Sequence, residues 1–256
     1  MQVVDRILAL SSRWIAQDTS HMAAISAPDS GRQLTRSSKL PAREGHRYDP
    51  RSALLQRQCL KLAVSIFSGA RTHVRSLGFT SAIAGEGKTF LARATASALA
   101  QKANRPVVLL DCNWDHPSLH TLYNLPDSPG LAEWARGECD LENIRHQVAP
   151  NLTVIPAGAA LGDTINVTTK LASHGIATVL SAANEVLVVD MPAVLTSVYA
   201  AQLAQQLDAV TLVVRAGATW DSFVAEAHQE LENTQIEGVI LNATHSRIPR
   251  WIQRLL

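Results

Sequence analysis

Ser81-Ala82-Ile83-Ala84-Gly85-Glu86-Gly87-Lys88-Thr89-Phe90 is the stretch on which the reading of this chain turns. The apolar run Leu77 to Ser81 before it reads as a strand, and Lys88 to Lys102 after it reads as a helix. A glycine-containing loop between a strand and a helix can turn successive backbone N–H groups toward one point, where the helix N-terminus adds its partial positive charge. Such a loop cradles phosphate. Lys88 is placed to reach the β- and γ-phosphates of a nucleotide, and Thr89 offers a hydroxyl to Mg2+. The expected contacts with ATP are Gly85, Glu86, Gly87, Lys88, Thr89 and Phe90. The strict pattern begins with glycine where this chain has Ala82, so the match rests on Gly87, Lys88, Thr89 and their context. The plain alternative is a surface turn.

Outward from the loop, apolar runs alternate with segments of helical periodicity. Strands are expected at Leu77 to Ser81, Pro106 to Asp111, Leu152 to Pro156, Glu185 to Asp190, Ala209 to Arg215 and Gly238 to Asn242. Helices are expected at Ser52 to Phe67, Lys88 to Lys102, Gly130 to Gly137, Thr164 to Ala183, Thr196 to Gln206 and Ser222 to Glu232. Most strand candidates are continuous Val/Leu/Ile runs, which fits burial on both faces. The expected fold is α/β: a doubly wound, mostly parallel sheet of P-loop NTPase type with helices on both faces.

Two carboxylates end apolar runs, Asp111 after VVLL and Asp190 after EVLVV, at the sheet edge where ligands of open α/β sheets bind. With Lys88 they form the expected catalytic set, and with Thr89 the expected metal set. Asp190 would hold a water on the metal, and Asp111 would position the attacking group or a second metal water. His116 and His120 stand four apart beside Asp111 and Asp115, but without a third soft ligand they do not make a zinc site.

Residues 51–245 are assigned to the ATP-binding domain. Residues 1–16 read as an amphipathic helix, with Val3, Val4, Ile7, Leu8, Leu10, Trp14 and Ile15 at helical spacing. Residues 17–50 are rich in Ser, Arg, Pro and Gly and read as a flexible tether. Residues 246–256 read as a basic amphipathic helix, suited to an anionic membrane, a partner's groove or its own domain. The 23 basic and 22 acidic side chains nearly cancel, so no overall field argues for nucleic acid. Cys59, Cys112 and Cys139 lie far apart, which fits reduced thiols. Asp5 and Arg6 interrupt the first apolar stretch, unlike a signal peptide, and no apolar run is long enough to span a bilayer. A cytoplasmic location is expected, with the terminal helices offering peripheral attachment to the inner face of the cell membrane.

The order SAIAGEGKT, VVLLDCNWDHPSLH, GLAEWARGE, LTVIPAG, VLVVDMPAVL and DAVTLVVRAG resembles the bacterial tyrosine kinases of capsular and exopolysaccharide synthesis. These are similar to the MinD/ParA class of P-loop ATPases, and the resemblance covers about Ser52 to Asn242. It implies ATP and Mg2+ as cofactors. It also implies a membrane-embedded polysaccharide chain-length or co-polymerase partner, and homo-oligomers. The departures are specific. The family's second motif, Asp-x-Asp-x-Arg, here reads Asp111, Cys112, Asn113, Trp114, Asp115. A further family Asp after Asp190 is Tyr199, and the Glu-x-x-Arg-x-x-Arg assembly pattern appears as Leu55, Gln58 and Lys61. The only tyrosines are Tyr48, Tyr123 and Tyr199, so there is no tyrosine-rich tail to phosphorylate.

The expected function is that of an ATP-binding protein, akin to the cytoplasmic tyrosine kinase, that regulates polysaccharide polymerisation or export. One alternative is a catalytically weak or inactive regulatory subunit of that machinery, favoured by the eroded second motif. Another is a partition-type ATPase, but the Lys of that class's deviant loop is Ile83 here. Whether the chain is an ATPase or a protein-tyrosine kinase is left open by its residues.

Overall fold

Val107–Asp111 and Val186–Ala193 are buried at every position, and alternate side chains enter opposite cores. Val107, Leu109, Val186 and Val188 face one core, while Val108, Leu110, Leu187 and Val189 face the other. A strand with both faces covered carries no polar alternation, which is why Val107–Leu110 and Val186–Val189 read as continuous apolar runs, each ended by an aspartate. The computed structural model describes residues 15–17, 50–67, 74–160, 162–179 and 185–244.

Its eight strands are β1 (Ile15–Gln17), β2 (Ser76–Ser81), β3 (Val107–Asp111), β4 (His146–Ala149), β5 (Leu152–Ile155), β6 (Val186–Ala193), β7 (Ala209–Arg215) and β8 (Ile236–Thr244). They lie side by side in the order β1-β8-β7-β2-β6-β3-β5-β4. All neighbours are parallel except β4, which runs antiparallel to β5. The doubly wound, mostly parallel α/β sheet is thus observed.

On one side α1 (Pro50–Phe67) packs against α2 (Lys88–Lys102), which lies on the sheet. On the buried surface of α2, Leu91, Thr95 and Leu99 are interleaved with Ala92, Ala96, Ala98 and Ala100. Alanine favours the helix intrinsically. The other core is closed by α4 (Leu131–Arg136), α6 (Thr164–His174), α7 (Ala200–Ala204) and α8 (Asp221–Glu230). Shorter helices are α3 (Leu119–Tyr123) and α5 (Leu141–Ile144).

Several expected boundaries need correction. The helix expected over 164–183 stops at His174, because Gly175 takes φ 78 and a 3-10 turn follows at Ile176–Val179. The helix expected over 196–206 shrinks to Ala200–Ala204, since the chain first turns away from β6 at Val194–Thr196. Ile15–Gln17 is a short strand on β8 rather than the last turn of the expected N-terminal helix, most of which lies outside the described residues. The tether apart from Gln17 and Pro50, Tyr48 within it, and the C-terminal helix also lie outside them. No helix among the described residues is long and apolar enough to cross a membrane.

Candidate nucleotide-binding site

The carboxyl ends of β2, β3 and β6 meet at one edge of the sheet. Register pairs Asp111 of β3 with Asp190 of β6, and Phe79 of β2 with Asp190 on the other side. Backbone bonds continue past the strands: Val194 N–H donates to Ser81 O (2.8 Å), Leu195 N–H to Ala82 O (3.1 Å) and Cys112 N–H to Asp190 O (2.9 Å). The loop that follows β2 is therefore fastened at its start. Ala82, where the strict pattern has glycine, is fully buried in this strand-like stretch.

The loop is shaped from within. Gly87 takes φ 95 as the residue before α2, a conformation costly for any residue with a Cβ. A Cβ there would also lie 2.1 Å from Asn242 Nδ2. Asn242, near the end of β8, donates from Nδ2 to Glu86 O (2.9 Å) and accepts from Ala243 N–H (2.9 Å). Glu86 itself is 1% exposed. Its carboxylate accepts from Ile83 N–H (2.9 Å), Arg215 N–H (3.1 Å) and the Thr219 hydroxyl. Its side chain thus braces the loop against the end of β7, and only its backbone is left to meet a ligand. The Phe90 side chain is 43% exposed on the outer surface of α2.

Lys88 is buried at the first position of α2 and lines a cleft of about 110 Å³ with Ala84, Asn113, Asp115, His116, Ala193 and Thr196. The structure therefore brings the loop lysine and the degenerate second motif to one cavity. The two aspartates behind it differ sharply. Asp111 accepts from Asn113 N–H (3.0 Å) on one oxygen and from Ser118 and Leu119 N–H (both 3.0 Å) on the other. Neither oxygen of Asp190 has a hydrogen-bond partner among the described residues, although both are buried.

Burial pushes the Asp111 carboxyl up, opposed by the backbone N–H groups of Leu119, Asn113 and Ser118 and by His120. Burial likewise pushes Asp190 up, to about 8, and the charge of Asp111 adds to it. The Thr89 hydroxyl, Lys88 and Arg93 oppose that rise. Thr89 is thus close to Asp190 without forming a well-directed hydrogen bond to it. Two buried carboxylates in register cannot both be charged cheaply without a cation between or beside them. The orphaned oxygens of Asp190 beside Thr89 fit a hard divalent ion such as Mg2+.

Tyr199, where the resemblance implied an Asp, is 1% exposed and packs against Trp114 with ring centroids 5.4 Å apart. Its hydroxyl accepts from Asp115 N–H (3.3 Å), and Trp114 Nε1–H donates to Ala157 O (2.9 Å). These two aromatics hold the 113–116 turn over the cleft. Asn242 and Thr219 are the site residues missed in the sequence, whereas Tyr199 was singled out there only as a departure from the family. Asn242 carried a faint signal, as a polar residue at the end of a predicted strand.

No protein-family model matches the chain. The succinoglycan biosynthesis transport protein ExoP of Rhizobium meliloti is 30% identical over 181 residues, which cover 68% of this chain and 23% of ExoP. The tyrosine-protein kinase YwqD of Bacillus subtilis is 25% identical over 179 residues, covering 69% of this chain and 75% of YwqD. The chain is similar to the bacterial tyrosine-protein kinases. Its fold agrees with that of the kinase domain of the Escherichia coli tyrosine kinase ETK, with a TM-score of 0.69 at 22% identity, covering 78% of each chain. The chain spans less than a quarter of the length of ExoP but three quarters of YwqD.

Proposed function

We propose that this chain is an ATP-binding member of the bacterial tyrosine kinase family that regulates polysaccharide polymerisation or export. The observation that carries the reading is the convergence of Lys88, Thr89 and the unpartnered carboxylate of Asp190 at the end of a loop braced by Glu86 and Asn242. Gly85, Gly87, Lys88, Thr89 and the backbone of Glu86 and Phe90 would wrap the phosphates. Thr89 and Asp190 would hold Mg2+, which supplies charge neutralisation at the phosphate oxygens when bound. Asp111 would position the second-motif turn and, through its charge, favour the cation.

A second reading concerns turnover. Asp111 has both oxygens engaged by backbone donors, Asn113 cannot act as a base, and Asp115 places negative charge where the family carries Arg. These features favour nucleotide holding with weak or no phosphoryl transfer. The likeness to ExoP and YwqD supports action in polysaccharide synthesis beside a membrane-embedded chain-length protein at the cytoplasmic side of the membrane.

The test follows three quantities in one preparation: Mg-ATP bound, phosphate released and label transferred to tyrosine. Lys88→Ala is expected to abolish binding, and unchanged binding would overturn the ATP assignment. Binding without release or transfer supports the regulator. Turnover that Asp111→Ala and Asp190→Ala abolish supports the enzyme.

A further inference from the structure

A second cleft, about 680 Å³ in volume, lies away from the phosphate-binding loop on the side of the sheet covered by α4 and α6. Its walls include Pro129, Trp134, Glu138, Asp140, Asn143 and His174. It is a broad depression open to solvent, with a lining that mixes aromatic and polar side chains.

The wall that carries Trp134 is rigidly built. Leu131 and Ala132 N–H donate to Pro156 O and Ala157 O (both 2.9 Å). The Glu133 carboxylate accepts from Gly130 N–H (2.8 Å), Ala159 N–H (3.0 Å) and the Ser128 hydroxyl (2.9 Å). Trp134 and His174 sit with ring centroids 5.6 Å apart, tilted by 47°, so two helices contribute one aromatic wall. The Nδ1 of His174 lies 2.7 Å from Lys170 O. A carbonyl only accepts, so Nδ1–H is the donor and Nε2 of the neutral ring is an acceptor.

Charge narrows the ligand. Glu138 is matched by Arg136, whose Nε and Nη2 reach its two oxygens at 2.6 and 2.9 Å. Asp140 is the remaining charged group among the lining residues, and its carboxylate makes no capping bond to α5. An anionic ligand is disfavoured by that carboxylate. A simple cation would use Asp140 but leave the donor of the exposed Asn143 without a partner. A polyhydroxylated ring satisfies all of them: its hydroxyls donate to Asp140 and His174, accept from Asn143, and its C–H face covers the indole.

We propose that this cleft binds a neutral saccharide unit. The assignment is independent of nucleotide binding, since no lining residue belongs to the phosphate-binding loop or the second motif.

The test is saturation-transfer NMR and calorimetric titration of the full chain with glucose, galactose and cellotetraose, with glucuronate and spermidine as charged comparators. Saturable binding of at least one neutral sugar is expected, with a Kd on the order of 1 mM. Trp134→Ala should remove it, and the exposed Asn143→Ala, which disturbs no core contact, should weaken it about tenfold. Lys88→Ala should leave it unchanged. Absence of saturable binding by all three neutral sugars, tighter binding of spermidine or glucuronate, or wild-type affinity in Asn143→Ala would overturn the proposal.

Discussion

Asp111 and Asp190 are paired in register across β3 and β6, the carboxylate of the first accepting three backbone hydrogen bonds and that of the second none. Two residues that look equivalent in sequence thus have opposite energetic roles. Asp111 ties down the second-motif turn. Asp190 is left as a buried group whose carboxylate oxygens accept no hydrogen bond among the described residues.

For Asp190 the consequence is a pH dependence of stability. Its folded pKa, about 8, lies above the unfolded value of an aspartate, about 4, so folding favours the protonated form. The stability that this group contributes is present below about pH 4 and is lost as pH rises through about 8. Asp190→Asn removes that loss. Chemical denaturation of the nucleotide-free protein at pH 5 and pH 8 should show the variant gaining about 1–3 kcal/mol on wild type at the higher pH. An equal difference at both pH values would contradict the assignment. Mg2+-dependent ATP affinity should fall in the same variant.

Asp111→Asn should act in the opposite direction. The amide can accept on one side only, and its NH2 faces backbone donors that the carboxylate now satisfies. A loss of about 1–3 kcal/mol is expected at pH 7, read from denaturant midpoints, with the 113–119 segment losing amide-exchange protection first. Protection equal to wild type across that segment would remove Asp111 from its positioning role.

Gly87→Ala tests how the loop is built. The substitution meets both a left-handed φ of 95 and a contact of 2.1 Å to Asn242 Nδ2, so the loop must shift or Asn242 must release Glu86 O. The conformational part alone costs about 1–2 kcal/mol. Calorimetry should show Mg-ATP affinity reduced by about tenfold or more, a difference of about 1.4 kcal/mol. Retained affinity would mean that Gly87 does not set the loop's shape.

How much of this was legible before folding depends on what each residue answers to. The strands β2, β3, β5, β6, β7 and β8 were readable because burial on both faces leaves mostly apolar runs such as Val107–Leu110 and Leu212–Val214. The antiparallel β4 was not, since His146–Ala149 is half-buried to exposed and has no such run. Lys88 and Thr89 were found because loop chemistry is local. Glu86 was placed among the nucleotide contacts by its position in the loop, yet its carboxylate answers to Arg215 and Thr219, which only strand order brings near. Asn242 offered only its place at the end of a predicted strand, and its bond to Glu86 O likewise depends on strand order.

The eroded second motif yields the sharpest contrast. Tyr199→Asp, which restores a family residue, would leave a cavity beside Trp114 and bury an unpaired charge near Asp115. A loss of at least about 3–5 kcal/mol is expected from the lost aromatic alone, so this variant should be poorly soluble. Asn113→Asp with Asp115→Arg should be tolerated far better. Both positions line the Lys88 cleft, so Lys88 and the introduced Arg offset the new carboxylate at buried position 113, and the Asn113 Nδ2 bond to His116 O (3.2 Å) is given up. If turnover is limited by these two side chains, the double variant should release phosphate from Mg-ATP faster than wild type at equal nucleotide occupancy. An unchanged rate in a folded, ATP-binding double variant would move the limitation to the engaged carboxylate of Asp111.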